Sequence, residues 1–105
     1  MKITLQQIKK STIPQNYIHG VALYNAEMAE FVEHEPVNDK EYFHFEVYLD
    51  DDEMYSVKIN SKDILDSECN CSYNQKGKIC EHIVASGLMI KDVIRKMRRI
   101  ERNRR

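Results

Sequence analysis

Glycine and proline are scarce in this chain, with 3 and 2 copies. No internal repeat or low-complexity linker is visible. The glycines stand far apart, as Gly20, Gly77 and Gly87, so no Walker-type phosphate loop exists. No apolar run approaches the roughly 20 residues a membrane span needs, and the mean hydropathy is −0.62. The opening Met1-Lys2-Ile3-Thr4-Leu5-Gln6-Gln7 has no signal-peptide apolar core, so an intracellular protein with no membrane partner is expected. Cysteine is also sparse. Three copies are an odd number, which argues against a secreted disulfide framework and toward metal or thiol chemistry. The His-x-Glu and Pro-Cys-x-x-Cys pattern of zinc deaminases is absent. His19, His34 and His44 pair with no nucleophile at a recognisable spacing, and His44 reads as a surface residue. An enzyme is not expected.

With 105 residues, 42% hydrophobic and 31% charged, the chain has room for one domain with a small core. The net charge of −1 conceals an asymmetry. Residues 1–68 carry 6 Lys+Arg against 14 Asp+Glu, and residues 69–105 carry 10 against 3. All three cysteines lie in the basic part. Two surfaces with different partners, or a dipolar surface that favours solubility, would each produce this division.

Helix signals come first. Thr4-Leu5-Gln6-Gln7 has capping-box spacing for a short helix through Lys10. Thr12-Ile13-Pro14-Gln15 repeats that logic, with proline in the first turn. Tyr17, Val21, Tyr24 and Met28 then form one amphipathic stripe, whose end is ambiguous because residues 26–32 also read as a strand. Phe31-Val32 before Pro36 suggests an edge strand, turning at Val37-Asn38-Asp39-Lys40. In residues 41–49, Phe43, Phe45, Val47 and Leu49 share one face while Tyr42, His44, Glu46 and Tyr48 share the other. Asp50-Asp51-Asp52-Glu53 reads as a hairpin loop, and Tyr55, Val57 and Ile59 alternate along the return strand. A short strand through Ile64 and Leu65 is expected next. From residue 81 onward the period becomes helical. Ile83, Gly87, Ile90, Ile94 and Met97 form a stripe that Val84, Leu88 and Ile100 widen. The expected architecture is α+β, with N-terminal helices (1–30), an antiparallel meander (31–68), a cysteine-bearing segment (69–90) and a basic helical tail (91–105).

The chemistry concentrates in Cys69-Asn70-Cys71, eight residues, then Cys80-Glu81-His82. Cysteines at i and i+2 of an extended segment point their sulfurs to one side. A cysteine and histidine two apart at a strand-to-helix junction can supply the other half. The polar loop 72–79 can join them. Three thiolates and one imidazole complete a tetrahedral zinc shell, with bonds of about 2.3 Å to sulfur and 2.0–2.1 Å to nitrogen. Such a shell is closed, whereas catalytic zinc keeps a position open for water or substrate. It carries one net negative charge, which backbone N–H groups at the following helix, or Lys76 or Lys78, would offset. The competing reading makes Cys69 and Cys71 a redox pair and Cys80 a buried thiol, but leaves His82 without a role.

Cys-x-Cys-x8-Cys-x-His, preceded by alternating strands and followed by an apolar helix, resembles the SWIM zinc finger, a module of SWI/SNF-type helicase-like ATPases and MuDR transposases. Gly20 with Tyr24, and Tyr55-Ser56-Val57, look like that family's helix and Tyr-x-Val strand, so the resemblance spans residues 17–90. It implies a ββα zinc module with Cys69, Cys71, Cys80 and His82 as ligands. It also implies DNA binding or protein contact in remodelling, transposition or recombination complexes. Ser72 and Glu81 depart from the proline and the basic residue that members often carry there. Glu81 suits a helix N-terminus and opposes a phosphate contact.

Two functions follow as expectations. In the first, Lys76, Lys78, Arg95, Arg98, Arg99 and Arg102 neutralise DNA phosphates without sequence preference. No aromatic residue occurs after Tyr73, so the basic region offers no evident base-stacking platform. In the second, Ile94, Met97 and Ile100 dock a protein partner, such as an ATPase or recombinase subunit, or a second copy. Folding back of these residues onto the N-terminal helices is the structural alternative to a partner. The module would then be an accessory subunit or part of a longer helicase-type protein.

Overall fold

The computed structural model describes residues 3–49, 53–71 and 78–103, with residues 101–103 described only as helical backbone. The expected loop 50–53 is thus described only at Glu53, and Lys76 lies outside these residues. Helix α1 (Leu5–Lys10) carries the expected capping box. Gln7 N–H donates to Thr4 Oγ1 (3.1 Å), and Thr4 N–H donates to Gln7 Oε1 (3.0 Å). Helix α2 (Pro14–Asn25) does not repeat it. Its N-cap is Ile13, without a side-chain bond, because the Thr12 hydroxyl donates to the Ile79 carbonyl at 2.7 Å. A long-range partner outcompetes the local cap. The stripe is also shorter than the spacing suggests: α2 stops at Asn25, and Glu27 turns the chain with φ 58°. Met28 therefore lies outside the helix, where its carbonyl accepts from Tyr48 N–H (2.8 Å) as strand pairing begins.

Strands β1 (Ala29–Val37), β2 (Lys40–Tyr48), β3 (Met54–Asn60) and β4 (Glu68–Cys69) form an antiparallel meander in that spatial order. β1 is an edge, where Pro36 costs no ladder bond. Asn38 accepts φ 56° in the tight turn to β2, a conformation asparagine tolerates better than most residues. Phe31 pairs with Phe45, Phe43 with Ile59, and Phe45 with Val57. The expected inner face is observed within the strands, where Phe43, Phe45, Val47, Val57 and Ile59 are each at most 1% exposed, but Leu49 lies past the end of β2 and is half-buried.

The strand expected through residues 64–65 is instead a 3-10 turn, Ile64–Asp66, capped by Asp63. Buried Asn60 organises it. Its side chain donates to Asp66 Oδ2 (2.9 Å) and accepts from Lys62 N–H (2.9 Å), while its own N–H donates to Ser67 Oγ (3.2 Å). Side-chain-to-backbone bonding by Asn, Asp and Ser overrides the strand preference of two aliphatic residues.

Helix α3 (Glu81–Asn103) covers the sheet with Ile83, Val84, Ala85, Ile90 and Val93, which join the strand residues in one buried cluster. No helix among the described residues is long and apolar enough to cross a membrane. Two glycines permit close packing on α3. At Gly87, an added Cβ would lie 2.9 Å from Ile64 Cδ1 and 3.2 Å from Ile8 Cδ1. At Gly20 it would overlap the Val84 side chain, reaching its Cβ at 2.5 Å, and come within 2.9 Å of the Glu81 carbonyl oxygen. α2 therefore crosses α3 beside the Cys-x-His turn at backbone distance. Gly20→Ala should gain about 1 kcal/mol of helix propensity and lose roughly 1–3 kcal/mol to overpacking. A lower Tm is expected, partly restored by adding Val84→Ala; an unchanged Tm would show that the crossing relaxes freely.

Candidate metal centre

Two short backbone features bring the four ligand residues together. The first is the end of the sheet. β4 pairs with β3 through Val57↔Cys69 and Lys58↔Glu68. Asn70 extends this pairing: its N–H donates to the Ser56 carbonyl (3.3 Å) and its Oδ1 accepts from Ser56 N–H (2.9 Å). The residue between the two cysteines thus fixes the Cys-x-Cys turn to the neighbouring strand. The second feature is the start of α3, where Cys80 precedes the helix and His82 lies in its first turn. Ile79 is clasped there by the N-terminal segment. Its N–H donates to the Ser11 carbonyl (2.8 Å), and its carbonyl accepts from Thr12 Oγ1 (2.7 Å) and Asn16 Nδ2 (3.4 Å).

The ligand atoms of Cys69, Cys71, Cys80 and His82 all lie within 4.8 Å of one another. His82 Nδ1 is 3.6 Å from Cys69 Sγ and 3.7 Å from Cys80 Sγ. Tetrahedral bonds of about 2.3 Å to sulfur and 2.0–2.1 Å to nitrogen put such atoms about 3.6 Å apart. The donor set therefore has the dimensions of a zinc shell, with Nδ1 as the histidine ligand atom. The Tyr55 ring stacks on the imidazole at 4.5 Å between centroids. His82 and Cys80 are only 5% and 4% exposed, whereas Cys69 and Cys71 are half-buried, so the α3 half of the site is shielded and the Cys-x-Cys half is partly open.

Proton affinities in the cluster are split by shared hydrogen bonds. The Cys80 thiol is lowered to about 4, first by its hydrogen bond with Cys69 and then by His82 and Ile83 N–H, against burial. The same bond with Cys80 pushes the Cys69 thiol up, as does burial. Without metal, the hydrogen-bonded Cys69–Cys80 pair shares a proton. Zinc binding must displace that proton, so its affinity rises with pH and falls as protons return in acid.

The basic residues do not converge on this centre. Lys78 is exposed before α3, while Arg95, Lys96, Arg98 and Arg99 lie on its distal half, all four exposed. About 21 Å of helix separates Glu81 from Arg95. Arg102 lies on the final turn, where only the backbone is described. Glu81 reaches across to His19 Nδ1 (3.4 Å) on α2, so this acidic residue bridges α2 and the Cys-x-His turn. Ile94 packs on the core, as the fold-back alternative has it, while Met97 and Ile100 stay 36% and 54% exposed. Spacing alone pointed to the ligands but not to Thr12, Asn16, Tyr55 or Asn70 as their supports. The polar residue between two cysteine ligands and the aromatic in Tyr-x-Val were the available signals.

Cys80→Ala or His82→Ala should lower bound zinc below one per chain and collapse amide dispersion of residues 69–90; dispersion retained without zinc would contradict a metal-organised fold. Thr12→Val keeps every ligand and removes one buried donor. It should preserve zinc stoichiometry and cost about 1–2 kcal/mol in chemical denaturation.

The SWIM zinc finger family model matches residues 45–89. That span starts within β2 and includes the four ligands, but excludes α1, α2, β1 and the basic end of α3. It is narrower than the 17–90 suggested by Gly20 and Tyr24. No curated protein and no solved structure matches the chain significantly. The four-ligand cluster of zinc dimensions and the family match coincide on the same residues: residues 45–89 form a SWIM zinc finger.

Proposed function

We propose that this zinc finger is a non-enzymatic DNA-binding module whose metal centre roots a phosphate-contacting helix, within a helicase, remodelling or recombination assembly. One observation carries the reading. Arg95, Lys96, Arg98 and Arg99 line the distal half of α3, and none forms an ion pair among the described residues. Unpaired cations along one helix suit a sequence-independent phosphate contact. Zinc here is structural: four protein ligands close the shell, and what the ion supplies is folding free energy. Arg102 extends the same basic arm, Lys78 stands just before the opposite end of α3, and Lys76 lies outside the described residues.

The exposure of Met97 and Ile100 favours a second reading, a protein adaptor that contacts no DNA. Such a partner, for example an ATPase or recombinase subunit, would cover these two side chains, with Ile94 contributing through the packed base of the ridge. A homodimer formed ridge to ridge would place the arginines of both copies side by side, so an acidic partner fits better.

Fluorescence anisotropy of zinc-loaded protein with a short duplex, titrated with salt, separates the readings. Affinity should fall steeply with salt. Arg98→Gln with Arg99→Gln should reduce the log–log salt slope by roughly one for each phosphate no longer neutralised. Substitution is preferable to truncation after Ile90, because Val93 is only 7% exposed and belongs to the core. Absence of binding by the unaltered protein at low salt would leave the adaptor reading.

A further inference from the structure

The basic arm lacks an aromatic residue of its own, but the fold supplies one. α2 ends beside the distal half of α3, and a groove of about 610 Å³ opens between them. Its walls include Tyr24, Asn25 and Met89, with Arg95, Lys96 and Arg99 along one side. Tyr24 is half-buried, and its hydroxyl donates to Asp92 Oδ2 at 2.6 Å. That bond fixes the ring and engages the Asp92 carboxylate, which lines the groove as well. Arg95 and Arg99 are one helical turn apart, about 6 Å along the axis, so they can follow successive phosphates of an extended strand. Glu27, exposed where α2 turns into β1, also lines the groove. It disfavours phosphate on its side and can accept from base amino groups.

We infer that this groove binds single-stranded nucleic acid, with a base against Tyr24 and its flanking phosphates on Arg95 and Arg99. The inference rests on the nucleic-acid reading above and narrows it to a strand form and a place. The volume lies within the about 300–1,000 Å³ of small-ligand sites, which accommodates one nucleotide unit. A duplex keeps its bases stacked and cannot present one to a recessed tyrosine, whereas an unpaired strand can. The exposed Arg98 continues the basic surface beyond the groove, which favours a polymer over a free nucleotide.

The test compares zinc-loaded variants on an oligodeoxythymidine of about 12 nucleotides and on a duplex of the same length. Tyr24→Leu should weaken single-strand binding about tenfold and leave duplex binding within about twofold. Tyr24→Phe, which loses only the bond to Asp92, should retain most single-strand affinity. Zinc content and Tm of both variants control for folding. Equal loss on both probes, or no loss on either, would overturn the groove while leaving phosphate binding by α3 intact. Competition by thymidine monophosphate as strong as by the oligomer would replace the strand with a free nucleotide and overturn the inference. If the unaltered protein binds neither probe at low salt, the DNA-binding reading fails together with it.

Discussion

Three sulfurs and one imidazole nitrogen within 4.8 Å form an arrangement that works against itself until a cation joins it. Thiolates that close repel one another, and the protons that relieve the repulsion compete with metal. A bound cation resolves the conflict, contributing on the order of 10 kcal/mol in small zinc domains, comparable to the whole stability of a typical fold. The elements around it are arranged to keep the ligands close beforehand. β3 holds one pair through Asn70, and the first turn of α3 holds the other. Each pair is anchored to regular backbone.

The N-terminal segment is the less obvious part of this construction. It lies outside the family match, yet Ser11, Thr12 and Asn16 occupy both backbone groups of Ile79, next to Cys80. Gly20 then lets α2 reach backbone distance from the turn that carries His82, and Glu81 meets His19 across the same crossing. The metal centre is therefore supported from the sheet on one side and from α2 on the other. Charge separation in the sequence acquires a spatial meaning here. The acidic residues lie mostly on the strands and their turns, while cations gather where α3 leaves the core.

Much of this was legible beforehand for definite physical reasons. Alternation in residues 41–49 and 55–59 fixed which side chains face inward, because a half-buried strand has only one register that buries its apolar face. The Cys-x-Cys and Cys-x-His spacing identified the ligands. Local rules failed where a distant group offered a better partner, as with Thr12 and Ile79, or where a buried polar hub reshaped the chain, as Asn60 does around Ile64. The absence of aromatics after Tyr73 was true of the sequence and misleading for the surface. Tyr24 arrives beside Arg95 from far earlier in the chain, through a helix crossing that no periodicity reveals.

The 23 residues of α3 make a continuous helix about 35 Å long, packed on the core as far as Ile94 and projecting beyond it. A tilt of about 10° about Ile94 would displace the last described turn by about 2 Å. The packed contacts of Ile90, Val93 and Ile94, as much as the Cys-x-His turn, therefore set where the exposed arginines stand.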